Sequence, residues 1–292
     1  MLRKLIKLSP STSVISLPSN WIKSNNLKKG TALSVEVNEN KIIVSPQQTE
    51  IHKEIQIDIS KFDGRLLWVA IDTAYTAGYD SIIIKTKDAE QSSYMTKVAR
   101  YFPGMMIIDE HKTHVHFKSI DESPTDLNKI INRIFNLTVA LLEDSIEAIK
   151  LKEWNTLIKI KYRDYVINSY VSYCFRSINK FGYSPFSKTG VIHSFLKIIE
   201  IFSDKLCVLF ESIGKEKARS VKVNTLNLVL EMYNELRQVH FKYSIEKIIT
   251  FDENRQKLLK NIEEMPSYAI PVLNDLVDLF FALEELEMQL NS

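Results

Sequence analysis

The sequence predicts a multidomain α+β protein with a small β-rich unit at residues 1–46, a βαβαββ sandwich at 47–123 and an all-helical region at 124–292. Three observations carry this division. Residues 1–46 place strand-like runs, a proline-started helix and a glycine-marked turn within a span too short to bury a core alone. Residues 54–120 alternate between period-2 and helical spacing, which suits a small two-layer α/β arrangement. From Pro124 onward the apolar spacing is helical throughout, with glycine only at 182, 190 and 214.

In the first unit, Leu2, Leu5, Ile6 and Leu8 offer anchors for a strand, and Ser9-Pro10-Ser11-Thr12-Ser13 reads as a polar loop. Val14, Ile15 and Leu17 form a second strand. Pro18 lacks an N–H and suits the first turn of a helix through Trp21 and Ile22, with Leu27-Lys28-Lys29-Gly30 ending it. Leu33, Val35 and Val37 alternate, Asn38-Glu39-Asn40 turns, and Ile42-Ile43-Val44 returns as a hairpin. In the middle region, Glu54 to Ile59 is a strand and Leu66 to Tyr75 a helix closed by Gly78. Ile82-Ile83-Ile84 is a buried strand, Met95 to Phe102 a second helix, and residues 105–108 and 114–120 a hairpin. Breaks near Lys152, Gly182 to Gly190, Gly214 to Lys215, Ser244 and Pro266 divide the remainder into about six helices. The expected arrangement is two sets of three, with the boundary near Gly214.

Charge is unevenly spread. Residues 1–46 carry seven basic and two acidic side chains, a balance of +5, whereas residues 47–123 carry nine and twelve, a balance of −3. The helical region is even. Positive charge concentrated in the smallest unit is where a polyanion is attracted. The two cysteines, Cys174 and Cys207, lie far apart inside helical patterns, which argues against a disulfide framework. No apolar stretch is long enough for a spanning helix, so a cytoplasmic protein without membrane insertion is expected.

The ordered set Leu17-Pro18-x-x-Trp21-Ile22, Leu27-x-x-Gly30, Leu33-x-Val35-x-Val37 and Ile42-x-Val44-x-Pro46 resembles the SpoVT-AbrB family of DNA-binding domains. That resemblance implies half of a swapped-hairpin β-barrel, completed by a second copy, and hence a homodimer that binds DNA. Two departures stand out: the arginine common shortly before Leu-Pro is missing from Ser13-Val14-Ile15-Ser16, and only Lys23 remains of the helix's basic pair. DNA contact is therefore expected from Arg3, Lys4, Lys7, Ser11, Thr12, Ser13 and Lys23. The helical region is similar in helix number and length to PhoU phosphate-uptake regulators, and the middle segment, with Ala77-Gly78-Tyr79-Asp80 before a strand, looks like the spacer of archaeal PhoU-like regulators. PhoU bundles bind metal through acidic residues four apart. The corresponding stretch, Arg163-Asp164-Tyr165-Val166-Ile167, keeps one carboxylate, so no metal site and no cofactor are expected.

Other residues that could carry chemistry have plainer readings. His111, His114 and His116 lie in a hairpin without a cysteine partner and read as ordinary polar residues. Glu143, Asp144 and Glu147 precede Lys150 on a helix and read as a charge-paired surface. Asp252-Glu253 is a weaker acidic pair still. Trp154, Tyr162, Tyr165, Tyr170, Tyr173 and Phe175 suit inter-helix packing better than base stacking. No P-loop, nucleophile elbow or zincin motif occurs, and an enzyme is not expected. The sequence thus points to a DNA-binding regulator linked to phosphate uptake, with a helical region that senses a signal or binds a protein partner. The alternative is a non-enzymatic PhoU-type adaptor regulating a phosphate transporter through protein contacts. An antitoxin-like repressor fits residues 1–46 but not the long helical region.

Overall fold

A computed structural model describes residues 2–38, 41–46, 53–120, 126–217 and 220–292. The chain divides into two compact units, Met1–Ile51 and His52–Ser292.

The first unit consists of two antiparallel ribbons and a short helix. Strands β1 (Ile6–Ser9) and β2 (Thr12–Val14) pair around a tight turn at Pro10 and Ser11, with a register shift between Lys7 and Ser9. Helix α1 (Ser19–Ser24) follows Pro18, whose carbonyl accepts from Ile22 N at 3.1 Å. Pro18 is therefore the cap, one position ahead of the expected first turn. The helix also stops earlier than expected. Asn26 takes the left-handed conformation at φ 51°, and Leu27 N returns to the Ile22 carbonyl at 3.0 Å. Gly30 (φ 87°) instead serves the following turn, where Thr31 N bonds to Lys28 O and Lys28 N to Thr31 Oγ1. Strands β3 (Leu33–Asn38) and β4 (Lys41–Pro46) form the second ribbon, with Val35 opposite Val44 and Val37 opposite Ile42. No ladder joins the two ribbons among the described residues.

The second unit opens with a four-stranded sheet of order β5-β6-β8-β7, built from β5 (Glu54–Asp58), β6 (Ser81–Lys85), β7 (Met105–His111) and β8 (His114–Ser119). Helix α2 (Arg65–Thr76) connects the parallel pair β5 and β6, and α3 (Ala89–Val98) leads into the antiparallel hairpin. Gly78, at φ 84°, closes α2. Ile71, Tyr75, Ile82, Ile84, Phe102 and Phe117 fill the core between sheet and helices.

Among the described residues seven α-helices follow: α4 (Leu127–Leu151), α5 (Trp154–Ile158), α6 (Lys161–Phe181), α7 (Thr189–Glu216), α8 (Val223–Phe241), α9 (Ile245–Ile262) and α10 (Ile270–Asn291). Lys152 in the left-handed conformation ends α4, Gly182 follows α6, and the Ser244 hydroxyl caps α9 by accepting from Lys247 N. The break expected near Gly214 to Lys215 comes at Lys217, left-handed at φ 47°, where α7 ends. Gly214 itself lies in the last turn of α7 against the one-turn-long α5, where an added Cβ would meet Leu157 Cβ at 2.9 Å and the Trp154 carbonyl oxygen at 3.0 Å. The helices share one continuous core, to which both α4 and α10 contribute.

The sheet part and the helices meet along α2 and α6. Arg176 of α6 is buried; its guanidinium donates to the carbonyls of Tyr75 (2.9 Å) and Tyr79 (2.8 Å) and pairs with Asp80 at 3.4 Å. Asp80 also accepts from Lys53 N at 2.8 Å and pairs with Lys180. Beside this network Tyr165 stacks on Trp68, and Tyr101 packs against both. Tyr165, Tyr170 and Tyr173 of α6 thus serve packing between elements, as their spacing suggested, whereas Tyr162 is 68% exposed.

Candidate nucleic-acid interface

The sequence-predicted contact residues lie on β1, its turn, β2 and α1. Arg3 and Lys4 precede β1 without regular structure, Lys7 is on β1, Ser11 is in the turn, Thr12 and Ser13 are on β2, and Lys23 is in the last turn of α1; all are exposed. The pairing register brings only some of these together. Lys7 faces Ser13 directly, so both point to one side of the ribbon, while Ile6 and Val14 form the adjacent pair on the other side. Thr12 follows Val14's side, so Ser11-Thr12-Ser13 does not act as one loop. The physical reason is the two-residue turn, which extends the ladder to Thr12. A charged residue opposite a hydroxyl, on an exposed ribbon, can hold phosphate oxygens by charge and by hydrogen bonding.

The second ribbon has the opposite character. Leu33, Val35 and Val37 share one face of β3, and their partners across the ladder are Pro46, Val44 and Ile42. This wholly apolar face is largely open: Val35 is 59%, Val37 72% and Ile42 66% exposed. No described residue of the first unit is buried. A two-stranded ribbon is marginal in water, and an uncovered apolar face of this kind demands a cover.

Residues 6–52 match the family described as "Antidote-toxin recognition MazE, bacterial antitoxin". This is an AbrB/SpoVT-like swapped-hairpin family, the kind to which the motif between Leu17 and Pro46 points. The MazE match takes in both ribbons and α1, ending at the residues that open the second unit. No curated protein and no solved structure matches the chain. The PhoU likeness of the helical region is carried by none of these comparisons.

The other candidates resolve into local contacts. His114 Nε2 lies 2.8 Å from Asp109 Oδ2, His116 Nε2 lies 2.8 Å from Ser81 Oγ, and His111 Nδ1 lies 3.1 Å from Thr113 Oγ1. Asp144 pairs with Arg163 of α6, and Glu147 with Lys150 at 3.7 Å. Among the described residues no group of three or more His, Cys, Asp or Glu is placed to hold a metal ion. No described helix is long and apolar enough to cross a membrane.

Asp164 is a polar residue the spacing could have flagged, since it lies on the same stripe as Ile160, Ile167 and Val171. It is buried, accepting from Ser203 Oγ at 2.7 Å and Asn168 Nδ2 at 2.9 Å. Burial, aided by the neighbouring Asp204 carboxylate, pushes its acid up to about 7.

Proposed function

We propose that this chain is a homodimeric, non-enzymatic, DNA-binding transcription regulator of the cytoplasm. Its parts are a swapped-hairpin domain at 1–46, an α/β linker at 47–123 and a helical domain at 124–292. The observation that carries this reading is the uncovered apolar face of the β3–β4 ribbon within a segment that matches the MazE family. A second copy supplies the missing cover, and interleaved ribbons complete one barrel. Dimerisation then doubles the cationic set of Arg3, Lys4, Lys7 and Lys23, with Ser11, Thr12 and Ser13 offering hydroxyls to phosphates or base edges. The helical domain, similar to PhoU in helix number and length, is the sensing or partner-binding part, and phosphate uptake is the process it serves.

The family description favours one second reading, in which residues 6–52 recognise a toxin protein rather than DNA. Titration of genomic DNA fragments against salt separates the two. Lys and Arg contacts release counterions, so log affinity should fall steeply with log salt. Changing Lys4 and Lys7 to Ala removes four lysines per dimer and should lower that slope by up to about 3.6. A folded dimer that binds no DNA at low salt would leave the toxin-recognition reading standing.

A further inference from the structure

An open cleft of about 790 Å³ lies between α4, the end of α8 and the start of α9. Its lining is cationic and amidic: Lys129, Arg237, Lys242 and Lys247, with four Asn and Gln side chains and the ring of Phe241. No carboxylate lines it among the described residues.

The cations differ in how far they are already engaged. Arg237 is half-buried and donates Nε to Asn132 Oδ1 at 3.1 Å; among the described residues its two terminal nitrogens have no partner. Asn132 thus fixes the guanidinium plane while leaving its forked end open, the end suited to two oxygens of one phosphate. Lys242 is exposed, and its ammonium is unpaired among the described residues. Lys129 has one long ion pair, 3.8 Å to Asp126. Lys247 donates to the carbonyls of Gln238 (3.3 Å) and Lys242 (2.6 Å). It thereby neutralises the negative end of α8, which would otherwise repel an anion entering here. Glu235 and Glu246 line a smaller adjoining hollow of about 190 Å³ that shares Gln238 and Lys247.

We infer that this cleft binds a nucleotide, its phosphates on Arg237, Lys242 and Lys129 and its base against Phe241. A bare phosphate would need only a small nest, whereas this volume suits a drug-sized or cofactor-sized ligand. Phe241 is 44% exposed, with Phe135 (6.0 Å) and His240 (4.9 Å) fixing its ring, so a flat apolar surface faces the cleft edge. Aromatic faces accept any base, and the surrounding carboxamides offer donors and acceptors to its edge or to a ribose. The inference is independent of whether the first unit binds DNA.

Calorimetric titration of the full chain with ATP, inorganic triphosphate and adenosine tests it. The R237Q/K242Q variant should weaken ATP at least tenfold. F241A should weaken ATP severalfold and leave triphosphate unchanged. K197Q, whose lysine pairs with Glu200 on α7, should bind ATP as the parent does. K242Q alone, at an exposed position, repeats the test without risk to the fold, and circular dichroism checks the others. Three results would overturn the inference: no saturable ATP binding at millimolar concentration, undiminished binding in R237Q/K242Q and K242Q, or triphosphate binding as tightly as ATP.

Discussion

The two units of this chain solve the burial problem in opposite ways. The unit at His52–Ser292 encloses two apolar cores, one under its sheet and one threading all the long helices, and even holds the Arg176–Asp80 ion pair away from water. Met1–Ile51 has no buried residue among those described, and keeps Leu5, Leu8, Val35, Val37 and Ile42 well exposed. Both obey the same rule, that apolar surface must be covered. The second unit covers its own, while the first leaves an apolar face open, which in the proposed dimer a second copy covers. Enclosed and open apolar faces are thus written in the same residue types, and burial alone separates them.

The sharpest way to break the comparison is to place a charge on the face that needs covering. Val35→Asp should weaken dimerisation by roughly a hundredfold or more, because the carboxylate would be buried without a partner. The thermal transition of the second unit should stay where it is; if the dimer survives unchanged, β3–β4 is not the interface. Next in size, Arg176→Ala should destabilise the second unit by about 3 kcal/mol, since it takes one of two cationic partners from buried Asp80 and leaves the Tyr79 carbonyl unpaired. Chemical denaturation would measure this, and the dimer mass should not change.

A smaller loss, about 1–3 kcal/mol, is expected for Gly214→Ala, whose new methyl group would crowd Leu157 and the Trp154 carbonyl. A stability equal to the parent's would mean that α5 moves aside freely.

The smallest expected effect concerns Asp164. Its acid is raised in the folded state, so between pH 4 and about 7 the native chain holds a proton that the unfolded chain has released. Stability from this group therefore falls as pH rises through that window and levels off above it. Asp164→Asn should flatten the dependence and be the more stable form at pH 8 by about 1–2 kcal/mol. Parallel pH profiles of parent and variant would contradict the assignment.

Much of the fold was legible because it rests on local signals. Alternation at Leu33-Val35-Val37 against Ile42-Val44 gives the second ribbon, Gly78 the end of α2, and Ser244 the start of α9. Where the reading failed, a local signal had a distant cause. Gly214 marks the end of α7 to within two residues, yet α5 also packs on it, and nothing near it in sequence announces that contact. Pro18 and Asn26 shift the helix limits because capping groups, rather than the conspicuous Gly30, set them. The candidate interface was half legible. Its lysines and hydroxyls stand out by composition, but the pairing of Lys7 with Ser13, and the separation of Thr12 from it, depend on ladder register. The cleft was not legible at all, since Lys129, Arg237 and Lys242 look like ordinary helix-surface cations until α4 and α8 come together.

One measurement bears most directly on the dependence of the first unit on a second copy: the solution mass of the full chain by sedimentation equilibrium at micromolar concentration, beside its Val35→Asp variant. The parent should sediment at twice 33.8 kDa and the variant at 33.8 kDa. A parent that remains at 33.8 kDa, with residues 33–46 protected from proteolysis, would contradict the account.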